Sequence, residues 1–266
     1  MCDIHSIGNQ CIFPSFARDL LAKTKVKTIF FIGYHQIRDI VRFLQDDRWE
    51  DIYDKQYLTY KGNPITAFKS VTNSFCHNTY KQSVSHSLYN FVFNHDYEFD
   101  EKEQAILNYD FVVEQHNKKI KASKEMFVSD RPLIFIHFVR NSYDPNMPDK
   151  TSAIDTESLK TFIQWFSTTY PNKRFYVYIF TDLPQYREFD VRQSTQDSID
   201  NKHAFILDLN EWSLDNFASR KIQDRYQFYK EMYTKFYDAV KLCSLEEHFP
   251  TFEETVYVKT VDFTKL

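Results

Sequence analysis

The sequence predicts an α/β fold: a mainly parallel, Rossmann-like sheet with helices on both faces, in a single domain. Three observations predict it. Short apolar runs alternate with segments of helical period along most of the chain. The strand-like runs are almost continuously apolar, as strands buried on both faces are. Polar residues gather just after those runs, where parallel sheets collect their ligands. At 266 residues, 42% of them hydrophobic and 26% charged, the chain is long and apolar enough for one such core.

Taken in order, Asp3-Ile4-His5-Ser6-Ile7-Gly8-Asn9-Gln10-Cys11 reads as a strand and a tight turn, and residues 14–23 as a first helix. Ile4 and Ile7 supply the strand's apolar positions, Gly8 accepts a positive φ, and Pro14 suits a first helical turn. Residues 27–33 form a compact apolar strand ending at Gly33. Ile37, Ile40, Val41 and Leu44 give residues 36–51 a helical period. Residues 52–85 show no period and are expected to be an irregular excursion over the sheet. A strand is expected over 87–96 and a long amphipathic helix over about 100–127, with Ile106, Tyr109, Val113 and Ile120 on its stripe. Pro132–Val139 is the most strand-like run. A proline-marked loop over 141–150 follows it, then a helix over 155–169 that Asp155 or Thr156 can cap. Residues 174–182 and 204–208 read as strands around a polar loop at 184–202. A helix over 219–244 buries Ile222, Tyr226, Tyr229, Tyr233, Phe236, Val240 and Cys243, and residues 251–266 form an edge strand or an arm.

Composition excludes several functions. A net charge of −4 leaves no basic field for nucleic acid, and the lysine-rich run 118–124 reads as the solvated face of a helix. The chain has only three glycines, Gly8, Gly33 and Gly62, so neither a Gly-x-Gly-x-x-Gly fingerprint nor a Walker-type phosphate loop is possible. Phe and Tyr are abundant instead, at 26 and 18, as in chains encoded by AT-rich DNA. Cys76-His77, His86 and His95 carry metal-capable side chains in no zinc spacing. The sequence therefore predicts no cofactor and no metal. Cys2, Cys11, Cys76 and Cys243 stand without Cys-x-x-Cys spacing, no apolar run is long enough to span a membrane, and no leader or glycosylation sequon is visible. Together these predict a cytoplasmic chain without a membrane partner.

The sharpest chemical constellation is Cys11 with His95. A thiol at a helix N-terminus is favoured as thiolate by the unpaired N–H groups there. It needs a base within hydrogen-bond reach and a partner that orients the base. His95 is the candidate base, and Asp96 or Asp182 the candidate orienting carboxylate. Gly8, Asn9 and Gln10 could hold an oxyanion or bind substrate, and Arg140 a substrate anion. The opposing reading makes Cys11 a small buried hydrophobe. His5 and His137, inside strands, read as hydrogen-bonded core histidines.

Ser6-Ile7-Gly8-Asn9-Gln10-Cys11, Phe91-Val92-Phe93-Asn94-His95-Asp96 and the helix leading to Pro132-Leu133-Ile134-Phe135-Ile136 resemble an uncharacterised family of papain-like cysteine peptidases, over roughly residues 3–210. The resemblance implies Cys11 as nucleophile and His95 as base. The chain departs from the family at Thr28-Ile29-Phe30-Phe31-Ile32, where members carry a Pro-Phe-Asp-Trp-like run. It also sets Gln10 beside the cysteine instead of several residues before it. The function expected is thus thiol-dependent hydrolysis or acyl transfer. Two alternatives stand beside it: a nucleotide-sugar-dependent glycosyltransferase using Asp182, Asp208 and Arg140, and a non-catalytic protein-binding module presenting aromatic side chains.

Overall fold

The computed structural model of the chain describes residues 2–7, 27–30, 36–75, 83–139, 154–181, 183, 203–209 and 222–252. Its centre is a parallel sheet of five strands: β1 (Asp3–Ser6), β2 (Lys27–Phe30), β10 (Leu133–Val139), β11 (Phe175–Thr181) and β12 (Ala204–Asp208). In sheet order they run β2-β1-β10-β11-β12, all parallel, so the order reverses direction between β1 and β10. Every residue of β10 is buried, which is what its unbroken apolar run requires of a central strand covered on both faces.

One face carries Leu133, Phe135, Val139, Val177, Ile179 and Ile206. It is covered by α1 (Ile37–Asp46), α2 (Tyr109–Val128) and α3 (Thr156–Thr169). The other carries Ile4, Ile134, Ile136, Phe138, Tyr178, Phe180 and Leu207 and is covered by α4 (Ile222–Leu242). The α/β class, the parallel sheet and the two-sided cover agree with expectation. In α3 the buried residues are Leu159, Phe162, Ile163 and Phe166, and the cap is Asp155, whose Oδ1 accepts from the Ser158 N–H at 3.0 Å. Tyr229, Tyr233, Phe236, Val240 and Cys243 are buried beneath α4 as its stripe implies. Aromatic rings do the packing that aliphatic residues do elsewhere. Phe135 meets Phe162 and Phe166 edge-on, at centroid separations of 4.9 and 5.0 Å.

The segment between α1 and α2 differs most from expectation. It holds two small sheets, β4-β3-β6-β7 and β5-β9-β8, built from β3 (Leu58–Tyr60), β4 (Asn63–Pro64), β5 (Ala67–Phe68), β6 (Val84–His86), β7 (Phe91–Phe93), β8 (Phe99–Asp100) and β9 (Ala105–Ile106). Strands of two or three residues are too short to show a period, which is why residues 52–85 read as irregular. The hairpin β3–β4 turns on Lys61 and Gly62, both at positive φ, the pairing a two-residue turn needs. The expected strand over 87–96 is interrupted by a turn at 87–90, and only Phe91–Phe93 is strand. Moreover, β7 belongs to a small antiparallel sheet and not to the parallel one. The expected helix over 100–127 begins at Tyr109, because β8 and β9 occupy its first turns. The helix over 36–51 stops at Asp46, Asp47 takes a left-handed conformation, and Trp49–Tyr53 continues as a 3-10 turn. Among the described residues no helix is long and apolar enough to cross a membrane.

Candidate functional site

The strand order reverses between β1 and β10, and two hydrogen bonds fasten these strands near their carboxyl ends. The Ile7 N–H donates to the Ile136 carbonyl at 2.9 Å, and His137 Nδ1–H donates to the Ile7 carbonyl at 2.7 Å. Since a carbonyl only accepts, this bond fixes the tautomer of His137 and leaves Nε2 as the acceptor. Burial pushes the His137 imidazole down to about 4, against a smaller upward pull from the Ile7 carbonyl and Asp155, so the ring is neutral. In the next layer the register sets Val139, Thr181 and Asp208 side by side on three adjacent strands, all buried. Thr181 Oγ1 accepts from the Leu183 N–H at 3.1 Å. Along this edge the sheet changes from apolar to polar side chains.

A second buried polar cluster lies between α2 and the turn after β7. The end of α2 packs against β1, with the Phe127 ring 5.5 Å from that of His5. Ser129 Oγ, just past the helix end, lies 3.4 Å from Asp3 Oδ2, and Ser123 Oγ hydrogen-bonds His5 Nε2 at 2.8 Å.

Against His116 lies Asp96, its Oδ2 3.6 Å from His116 Nε2, with both side chains withdrawn from solvent. The rings of Phe93 and Tyr97 flank the imidazole at centroid distances of 5.7 and 6.5 Å. Asn108, fully buried before the first turn of α2, holds the turn in place. Its Oδ1 accepts from the Glu98 N–H at 2.8 Å, while Nδ2 donates to the Asp96 carbonyl at 2.8 Å and the Ser74 carbonyl at 2.7 Å.

The residues nominated from sequence divide into two groups. His95 and Asp96 follow β7, His95 partly exposed and Asp96 buried, with Asp96 set against His116. Gly8, Asn9, Gln10, Cys11, Arg140 and Asp182 lie outside the described residues, as do Cys76 and His77. The strands that precede the first six are described: β1, β10 and β11 are consecutive in the sheet and end at one edge. His5 and His137 are core histidines with hydrogen bonds, as read. His86 is a buried clamp. Its Nε2–H donates to the Asp51 carbonyl at 2.7 Å and its Nδ1 accepts from the Tyr89 N–H. Among the described residues no three His, Cys, Asp or Glu side chains are grouped to hold a metal.

His116 was not singled out in the sequence, although a signal existed. It stands seven residues after Tyr109 and four before Ile120, on the apolar stripe of α2. A titratable residue on a core stripe demands a partner, and Asp96 is the one facing it. Compared with protein-family models, with curated proteins and with solved structures, the chain matches none.

Proposed function

We propose that the chain is a thiol-dependent hydrolase or acyl transferase working at the carboxyl edge of a doubly wound, Rossmann-like sheet, with Cys11 as nucleophile. The sheet order and the cover on both faces support the doubly wound reading, since such sheets bind ligands beyond their carboxyl ends, where the order reverses. One observation supports the chemistry. The chain leaves the sheet at Ile7, fastened to β10 at the reversal point, and Gly8-Asn9-Gln10-Cys11 follows directly.

In the reaction the Cys11 thiol gives its proton to an imidazole, and the thiolate attacks an acyl carbon. The leaving group departs with the proton, and water or a second acceptor then releases the acyl group. His95 is the imidazole nominated by the sequence, with Asp96 or Asp182 to orient it. Gly8, Asn9 and Gln10 stabilise the oxyanion, and Arg140 binds a substrate anion. The papain-like resemblance makes the same assignment for Cys11 and His95.

The test is iodoacetamide labelling across pH, read peptide by peptide by mass spectrometry. Cys11 is expected to label with an inflection well below the ordinary thiol value of about 8.5. Labelling that follows an ordinary thiol, or that waits for unfolding, overturns the reading.

A further inference from the structure

We propose that residues 94–98 form a gate over α2, one that opens as a unit ahead of the sheet and brings the buried His116 imidazole to solvent. The segment is docked at a cost. Asn94 Nδ2, the Tyr97 hydroxyl and both ring nitrogens of His116 are buried and have no hydrogen-bond partner among the described residues. Each of these groups can bond to water once the segment lifts, so each opposes docking. Folded interiors leave few such groups unbonded, and here Asn94, Tyr97 and His116 gather in one short segment and the helix beneath it.

What holds the segment down is local. Asn108, at the head of α2, accepts from the Glu98 N–H and donates to the Asp96 carbonyl, each at 2.8 Å. The Leu107 N–H donates to the Glu98 carbonyl at 2.8 Å, and the Tyr97 ring meets Phe93 edge-on at 5.4 Å. At its two ends the segment joins β7 and β8, which belong to different small sheets, so it crosses between them without lying in either ladder. Lifting it breaks these few contacts and leaves the five-stranded sheet intact. His5 supplies the contrast. It is as deeply buried as His116, yet its Nε2 is bonded to Ser123 Oγ at 2.8 Å within the main core. When the gate opens, the imidazole of His116 and the Asp96 carboxylate, 3.6 Å apart and sealed in the closed form, both reach water. The gate stands independently of the thiol reading.

The experiment is native-state hydrogen exchange in the intact chain and in Tyr97→Phe, which removes the unbonded hydroxyl and keeps the ring. In the intact chain the Glu98 amide is expected to be protected on the order of a hundredfold less than the amides of β10. Tyr97→Phe is expected to raise the Glu98 protection about tenfold. Equal protection of Glu98 and β10 in the intact chain overturns the gate, and a loss of protection in Tyr97→Phe overturns the cost assigned to the hydroxyl. A second measurement needs no variant: acylation of the folded chain by diethyl pyrocarbonate, read histidine by histidine by mass spectrometry. His116 is expected to react about tenfold or more faster than His5 despite equal burial. Reaction of the two at one rate overturns the proposal.

Discussion

His137 on β10 holds the carbonyl of Ile7 through Nδ1–H at 2.7 Å, so a central strand side chain pins the residue at which β1 leaves the sheet. Protonation keeps the Nδ1–H donor but puts a charge where the core cannot solvate it. That makes the carboxyl edge sensitive to acid.

His5 and His137 are both pushed down to about 4 by burial, well under the value of about 6.5 that each has in an unfolded chain. Between those two values the unfolded chain binds protons that the folded one refuses. Stability is therefore fully present above about pH 6.5 and is lost as pH falls toward 4, by up to about 3 kcal/mol for each histidine. Urea unfolding midpoints are expected to fall steeply from pH 7 to pH 4.5. His137→Asn keeps a donor for Ile7 and removes the titration, so its profile is expected to be flatter. A wild-type midpoint constant across that range would contradict the buried neutral rings.

Thiol reactivity is expected to separate by burial. Desolvation pushes Cys2 up to about 12 and Cys243 up to about 11, and Cys243 Sγ also accepts from the Tyr178 hydroxyl at 3.3 Å. Neither forms thiolate at neutral pH, so neither is expected to contribute to fast labelling of the folded chain at pH 8. Cys2 and Cys243 are expected to label only after denaturant is added. Rapid labelling of either before unfolding would show that the face under α4 opens.

The end of α2 depends on a lysine from a distant turn. Lys173 Nζ donates to the Met126 carbonyl at 2.5 Å and to the Ser129 carbonyl at 2.8 Å, satisfying groups a helix end leaves unpaired. Nearby, Arg131 pairs with the buried Asp3 at 3.1 Å, so the amino edge of the sheet and the helix end are fastened together. Lys173→Met is expected to cost about 1–3 kcal/mol in thermal or urea unfolding. A change within a few tenths of a kcal/mol would mean that water replaces the lysine without loss.

Long elements were legible in the sequence and short ones were not. The unbroken apolar run of β10 and the Leu159, Phe162, Ile163, Phe166 spacing of α3 each repeat often enough to announce period and face. In β8 and β9 two residues pair by main-chain hydrogen bonds, and no pattern of side chains records that. This is why the helix expected from residue 100 begins at Tyr109. Around the 94–96 turn, chain position was legible and tertiary pairing was not. That His95 and Asp96 follow a strand could be read, whereas the approach of His116 to Asp96 joins residues on separate elements across a tertiary contact. His5 and His137 could be placed correctly because strand position alone implies burial.

Asn108 gives the clearest test of whether the 94–98 turn is held for the site. Its side chain is fully buried and makes three hydrogen bonds to main-chain groups of Asp96, Glu98 and Ser74. Asn108→Ala leaves the Glu98 N–H and two carbonyls unpaired and is expected to cost about 1–3 kcal/mol of stability. Asn108→Asp keeps the acceptor for Glu98 and loses both donors, so its carboxylate faces the carbonyls of Asp96 and Ser74 and destabilises by at least as much. Hydrogen exchange separates a local effect from a global one. The Glu98 amide is expected to lose protection in Asn108→Ala beyond the loss shared by the amides of β10, because the turn opens before the sheet does. Equal loss at both places would show that the turn unfolds only with the core, and that Asn108 supports the whole fold instead of the turn carrying Asp96.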